Sequence, residues 1–181
     1  MSVDENICEY AVSESVDKKS RPEGVPLLLP EPVLKHLFYA EVECESPIAV
    51  GNVDGRELNV YPILGGYFEG QELRGKVLPI GADWNYMSPP NIEVPNARYL
   101  LKTDDDVIIS IFSQGKSRFT PEQNQAYFHG EALDATSYYF RSNLYLETAD
   151  DKYKWLNGMV LIGVYGVKEN GNICFNAYCL Y

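Results

Sequence analysis

Asp83 is the side chain whose neighbours best suit it to move a proton. It follows Gly81-Ala82, where the backbone can turn sharply, and it precedes Trp84. In an aromatic-lined cavity, loss of water around a carboxylate raises its pKa toward the range useful to a general acid or base. The same Asp could instead cap a turn by accepting backbone N–H bonds, and both readings stand on the sequence. Arg98, between Ala97 and Tyr99, and Arg141, after Phe140, sit inside strand-like patterns. An inward arginine needs a carboxylate partner or an anionic ligand, and Asp83, Asp105 and Glu147 are candidate partners. For either arginine alone a structural ion pair is the plainer role; two of them converging with several acids would mark a site.

Tyr139, Tyr99 and Tyr153 offer hydroxyl donors to a carbonyl or an enolate. The chain has 14 tyrosines, so most must serve packing or the surface. The expected catalytic set is therefore Asp83, Arg98, Arg141 and Tyr139. Trp84, Tyr99, Phe68, Glu147, Trp155 and Asn157 are the expected ligand contacts. Trp155-Leu156-Asn157 forms a turn that would plug one end of the fold, with the Asn157 amide either capping that turn or facing a ligand. His129, before Gly130, suits a helix end.

Several chemistries lack their residues. There is no G-x-S-x-G, no G-x-G-x-x-G and no phosphate-cradling G-x-x-x-x-G-K-[ST]. Gly65-Gly66 and Gly70 lie between strands, as bulges or close contacts do. Cys8, Cys44, Cys174 and Cys179 are scattered, and only His36 and His129 could join them, so no metal and no cofactor is expected. The net charge of -11 and pI near 4.6 disfavour nucleic acid and anionic membranes as partners. The N-terminus lacks a secretory pattern and no apolar stretch nears a membrane span, so a cytoplasmic protein with reduced thiols is expected.

These side chains need a frame, and the frame is made of strands. Hydrophobic content is 45% and aromatic content 13%, which favours β structure with an ample core. Strand patterns run over 37–43, 47–53 and 57–64, with Asp54-Gly55 as a hairpin turn. Others cover 73–79, 83–87, 94–103, 107–112, 137–148, 159–167 and 173–180. Tyr61 to Trp84 reads as two strands turned tightly on each other. Ser88-Pro89-Pro90 is a break, Asp104-Asp105-Asp106 a solvated turn, and Glu169-Asn170-Gly171 another hairpin signal. Thr120-Pro121-Glu122-Gln123 opens the one good helix, ending near His129-Gly130. Eight to ten short strands with frequent turns make an antiparallel sandwich or barrel. Residues 1–33, proline-bearing and charged, form a flexible arm, and 34–181 the domain.

From Leu34 to Tyr181 the chain resembles the UPF0311 family, the proteins with the DUF3237 domain. The resemblance rests on Pro62 to Gly70, on Gly75 to Trp84, on Ala97-Arg98-Tyr99 with Thr103-Asp104-Asp105, on Tyr138 to Arg141, on Glu147-Thr148 and on Tyr153 to Asn157. The chain departs from the family with Asp106 and Ile80, where glycine is usual, with Leu146, where phenylalanine is usual, and with its longer arm. The resemblance implies an all-β fold: a single antiparallel β-barrel, lipocalin-like or allene-oxide-cyclase-like, with one short helix. It implies no settled activity.

Two functions remain open. One is a cofactor-independent isomerase, cyclase or lyase, a dehydratase included, of secondary or catabolic metabolism, with a small organic molecule in the lumen. Asp83 would be its acid or base, an arginine would steady negative charge, and a tyrosine would orient the substrate. The other is a non-catalytic module for ligand binding or assembly with a filled interior; exposed faces and the apolar arm also allow a homodimer. A cavity on the order of several hundred cubic ångströms, lined by Asp83, Arg98 and Arg141, favours the first, a solid interior the second.

Overall fold

Alternation of apolar and polar side chains carries ten strands in the computed structural model, which describes residues 32–88 and 92–181. They are β1 (Leu34–Cys44), β2 (Ile48–Val53), β3 (Arg56–Glu69), β4 (Gly75–Ser88), β5 (Ile92–Val94), β6 (Asn96–Thr103), β7 (Ile108–Arg118), β8 (Tyr139–Glu147), β9 (Val160–Val167) and β10 (Ile173–Leu180). Every pairing is antiparallel. The ladder β3-β1-β10-β9-β8-β7-β6-β4 returns to β3, so eight strands close a barrel. β2 is a flap on β3, and β5 bridges the ends of β4 and β7. The arm expected over 1–33 lies outside the described residues apart from Pro32 and Val33, as do Cys8 and the Pro89-Pro90 break. Val33 extends the β1–β10 ladder by exchanging two 2.8 Å backbone bonds with Tyr181.

Asp54 and Gly55 both take positive φ, as a two-residue hairpin turn requires, and they join β2 to β3. Glu169–Gly171 is a short 3-10 turn, where the sequence promised a tight Asn-Gly hairpin. The two segments expected at 73–79 and 83–87 are one strand, β4. Pro79 cannot donate to the ladder. The strand absorbs this with an irregularity between Val77 and Gly81, where its register against β6 shifts. Gly81 has φ +105°, and a Cβ there would sit 2.0 Å from the Arg98 carbonyl oxygen.

The helix α1 (Pro121–Phe128) starts as its sequence dictates. The Thr120 side chain accepts the Gln123 N–H at 3.2 Å, and Gln123 Oε1 accepts the Thr120 N–H at 2.8 Å. It lays Tyr127 against one end of the barrel, the end formed by the C-terminal ends of β1, β4, β7 and β9.

The interior is divided. Toward the other end the lumen is solid, with Phe38 edge-on to Phe68 and Phe175 at ring separations of 5.5 and 5.9 Å and Leu101, Ile109, Ile111 and Leu146 fully buried around them. A 3-10 turn at Lys154–Gly158 plugs this end with buried Leu156, and Trp155 packs on the core. Phe140, Tyr165 and Phe175 stack in sequence, at 4.6 and 4.8 Å, across the middle. Beyond that stack, toward α1, the lumen is not filled.

The close approach at Gly81 makes a testable demand. Gly81→Ala forces a Cβ into backbone at a left-handed φ, and should cost about 3 kcal/mol or more in urea unfolding. Gly55→Ala, also at positive φ but with nothing within 4 Å, should cost roughly 1–2 kcal/mol. Equal losses would show that the β4–β6 contact is not what demands glycine at position 81.

Candidate functional site

Just past the bulge at Gly81, the inward phase of β4 falls on Asp83. It stands opposite Tyr61 on β3 and Ala97 on β6, and all three line the open half of the lumen. The cavity offers about 70 Å³ to the centres of water-sized atoms, where one water takes roughly 10–15 Å³. Its wall is apolar on one side, with Val42, Ile63, Phe119, Phe140 and Val167. The polar groups are two carboxyls (Asp83, Glu93), the hydroxyls of Tyr61, Tyr99, Tyr127, Ser113 and Tyr165, the Cys44 thiol and the Asn85 amide. Among the described residues no Lys, Arg or His lines it.

Asp83 accepts a 2.6 Å bond from the Asn96 backbone N–H through Oδ1, and no cation pairs with it among the described residues. Burial pushes its pKa up to about 7, opposed by the Asn96 bond and reinforced by the negative charge of Glu93. The two sequence readings of Asp83 thus meet in one residue, which accepts a backbone N–H and also faces the cavity. Glu93 is buried; Oε2 accepts from Ser117 Oγ at 3.0 Å and Asn85 Nδ2 at 3.4 Å. Burial raises its pKa as well, and those two donors pull it back.

Burial also raises the pKa of Tyr61, Tyr99 and Tyr127, so each keeps its proton. Tyr165 is pushed to about 12 by burial; its hydroxyl closes a triangle with Ser113 Oγ at 2.8 Å and Ser142 Oγ at 3.1 Å. Burial, with Asp83 nearby, lifts the Cys44 thiol to about 12, which leaves it un-ionised and a poor nucleophile. The chemistry on offer is one carboxyl poised between its two protonation states, facing neutral hydroxyl donors.

Of the residues expected from the sequence, Asp83 and Tyr99 line this cavity. The others do not, and alternation explains most of them. Tyr99 points in, so Arg98 points out, exposed, with its guanidinium 4.4 Å from the centre of the Phe112 ring. Phe140 is buried, so Tyr139 and Arg141 share the outer face. Arg141 lies 5.4 Å from the Tyr139 ring and donates to the Phe140 carbonyl at 2.8 Å. Trp84, adjacent to inward Asp83, is 44% exposed on the outside. Glu147 is exposed beside buried Leu146. Phe68 is inward but belongs to the solid half. Trp155 and Asn157 belong to the plug at that same end, where Asn157 bonds the Thr148 N–H and carbonyl at 3.0 and 2.9 Å. Asp105 pairs with Lys152 and receives the Tyr153 hydroxyl at 3.1 Å at the solvated turn, clear of the cavity. The arginines therefore cannot steady charge in the lumen.

Glu93, Tyr61, Tyr127, Cys44, Asn85 and Tyr165 are the polar cavity residues that sequence reasoning missed. Tyr61 and Cys44 had a signal, since each lies two positions from an inward apolar residue, Ile63 and Val42. Glu93 follows the proline break and Tyr127 sits on an otherwise exposed helix, so no spacing marked them. Among the described residues no three His, Cys, Asp or Glu side chains gather as a metal site, and no helix is long and apolar enough to cross a membrane.

The family described as "Protein of unknown function (DUF3237)" matches residues 32–180. A UPF0311 protein of Rhodopseudomonas palustris is 32% identical over 130 residues, 71% of this chain and 84% of its own length. A β-barrel-like protein from Acinetobacter baumannii superposes with a TM-score of 0.74 at 30% identity, over 86% of this chain and all of that one. An enzyme from Penicillium herquei superposes at a TM-score of 0.62 and 16% identity, over 87% of this chain and all of that one, a likeness of fold alone.

The raised Asp83 pKa sets a pH dependence of stability. In the unfolded chain the group titrates near about 3.9, and in the fold near 7. Between those values the folded state holds the extra proton, so stability falls as pH rises from about 4 through 7. Asp83→Asn removes the buried charge and keeps an acceptor for Asn96. It should be more stable than the parent by on the order of 2 kcal/mol at pH 8, with the difference gone near pH 4. Urea unfolding at both pH values reads this directly, and a pH-independent difference would show that Asp83 is not held protonated by burial.

Proposed function

The chain belongs to the DUF3237 family, and from that premise and the lumen's geometry we propose that it is a cofactor-independent enzyme moving protons on an uncharged small organic molecule. One observation carries the reading: the Asp83 carboxyl faces the cavity without a cation, near its own midpoint at neutral pH and ringed by protonated tyrosines. A group with a pKa near the working pH is the best compromise between being in the right form and transferring well. Glu93 favours this. Its Ser117 and Asn85 donors favour a negative charge there, and such a charge adds to burial, the larger cause, in raising the Asp83 pKa.

The reaction class follows from the parts. As carboxylate, Asp83 takes a proton from the carbon next to a carbonyl. The C–H electron pair passes into the new C=C bond, and the carbonyl π pair settles on oxygen. A tyrosine hydroxyl on the cavity wall hydrogen-bonds that oxygen and stabilises the charge as it grows. Asp83, now a neutral acid, returns the proton to another carbon or to a leaving hydroxyl. The first outcome is isomerisation and the second dehydration. Protonation of an alkene by neutral Asp83, attack of an internal hydroxyl on the resulting cation, and return of that hydroxyl's proton to the Asp83 carboxylate is cyclisation. Two acidic side chains and, among the described residues, no cationic one line the cavity, so an anionic substrate meets repulsion and an uncharged one does not. The barrel shared with the Penicillium herquei enzyme is compatible with catalysis. The second reading, a small-ligand-binding module, draws on the cavity's small volume and its largely solid neighbour.

Hydrogen–deuterium exchange tests the proposal before the substrate is known. A panel of uncharged enolisable ketones is incubated with the protein in D2O, and loss of the α-proton is followed by NMR. At least one ketone should exchange faster with the protein than in buffer. Asp83→Asn should lower that rate by about 100-fold or more, with affinity changed only a few-fold. Ketones that bind but exchange no faster with the parent protein than in buffer would favour the binding module.

A further inference from the structure

The cations absent from the lumen gather on the outside of the barrel. β7, β8 and β9 form one wall there, and along it runs a groove of about 580 Å³ lined in part by Gln114, Lys116, Tyr139, Arg141, Asn143 and Ile162. The register fixes what faces what. Gln114 opposes Asn143, Lys116 opposes Arg141, and Arg118 opposes Tyr139. Directly opposed residues of an antiparallel pair share a face with Cβ atoms about 4.5–5.5 Å apart, and like charges so placed repel. The Lys116–Arg141 rung is therefore unfavourable by itself.

The chain had ample means to relieve it. It carries 26 acidic residues against 15 basic ones, yet no Asp or Glu occupies an outward position on these three rungs. Among the described residues the salt bridges use Arg74, Lys102, Lys152, Lys154 and Lys168, and none engages Lys116, Arg118 or Arg141. The guanidinium of Arg141 is also held in place, by its bond to the Phe140 carbonyl and by the Tyr139 ring beneath it. A pre-positioned arginine facing a lysine, with two amides beside them in the groove and Arg118 one rung beyond its lining, is an arrangement suited to a multiply charged anion. Its volume lies within the range of small-molecule pockets, roughly 300–1,000 Å³.

We propose that this outer groove is a second binding site, for a small polyanion bearing phosphoryl or carboxylate groups. It lies outside the lumen, and it stands or falls independently of the chemistry assigned to Asp83. Pyrophosphate and citrate are the probes, one for each kind of anion, titrated by calorimetry and by NMR of the arginine Nε–H signals at 150 mM NaCl. At least one should bind and shift the Arg141 signal. Lys116→Gln with Arg141→Gln should weaken it at least tenfold, and each single replacement should weaken it in part. Arg74→Gln, at an exposed pair with Asp104 elsewhere, should change nothing. The double variant should unfold at the same urea concentration as the parent or a higher one, because a repulsion has been removed. The proposal fails if neither probe binds, if the double variant binds as the parent does, or if raising NaCl to matched ionic strength reproduces the signal shift.

Discussion

Closing eight strands on themselves leaves a lumen only about as wide as the side chains that can fill it, and the rest of this structure depends on how that narrow space is shared out. Three phenylalanines and a set of branched aliphatics take one half completely. The other half receives tyrosines, two acids and a thiol, which leave room between them. The Phe140–Tyr165–Phe175 stack is the partition. Division of labour follows: the solid half supplies the hydrophobic stabilisation that lets the open half hold carboxyls in poor solvent. A buried charge is costly, and only a well-packed remainder offsets it.

Which side chains enter the lumen is settled by a period of two and by the places where that period slips. A one-residue irregularity exchanges inside for outside along the rest of a strand. β4 carries an irregularity between Val77 and Gly81, where proline withdraws a donor and glycine lets two backbones touch, yet the strand keeps its phase across it. Val77 and Asp83, an even number of positions apart, both face the lumen, so Trp84 faces out. β6 and β8 have no such slip over their site-bearing halves, so Tyr99 and Phe140 inside oblige Arg98 and Arg141 to be outside.

The sequence therefore revealed more of the frame than of the site. The Asp54-Gly55 turn, the Thr120 cap and most strand positions follow from local rules that tertiary structure did not override. Of the Asp-Trp pair singled out after Gly81, Asp83 lines the cavity and Trp84 lies on the outside. Naming Arg98 beside Tyr99, or Asp83 beside Trp84, asked adjacent strand residues to face the same way, which the pleat forbids. Choosing between members of such pairs needs the neighbouring strand: Arg98 lies across from Phe112, and the outer ring stacks on its guanidinium. Glu93 could not be found by periodicity, since the three-residue strand that carries it is too short to show one.

The resulting charge distribution runs opposite to the one expected from composition alone. In a chain of net charge -11, burial raises the pKa of the two interior acids, and on the outer wall Arg98 and Arg141 have no carboxylate partner among the described residues. Each half of this pattern explains the other. An arginine in the lumen would lower the Asp83 pKa toward the ordinary carboxylate range. Outside, aromatic faces hold Arg98 over Phe112, Arg141 over Tyr139 and Arg56 over Tyr86 without neutralising them. Excluding cations from the cavity makes the hydroxyl protons of buried tyrosines its strongest remaining donors. Neutral hydroxyls hold a resting anion less firmly than a guanidinium would, which accords with the uncharged ligand proposed for the lumen.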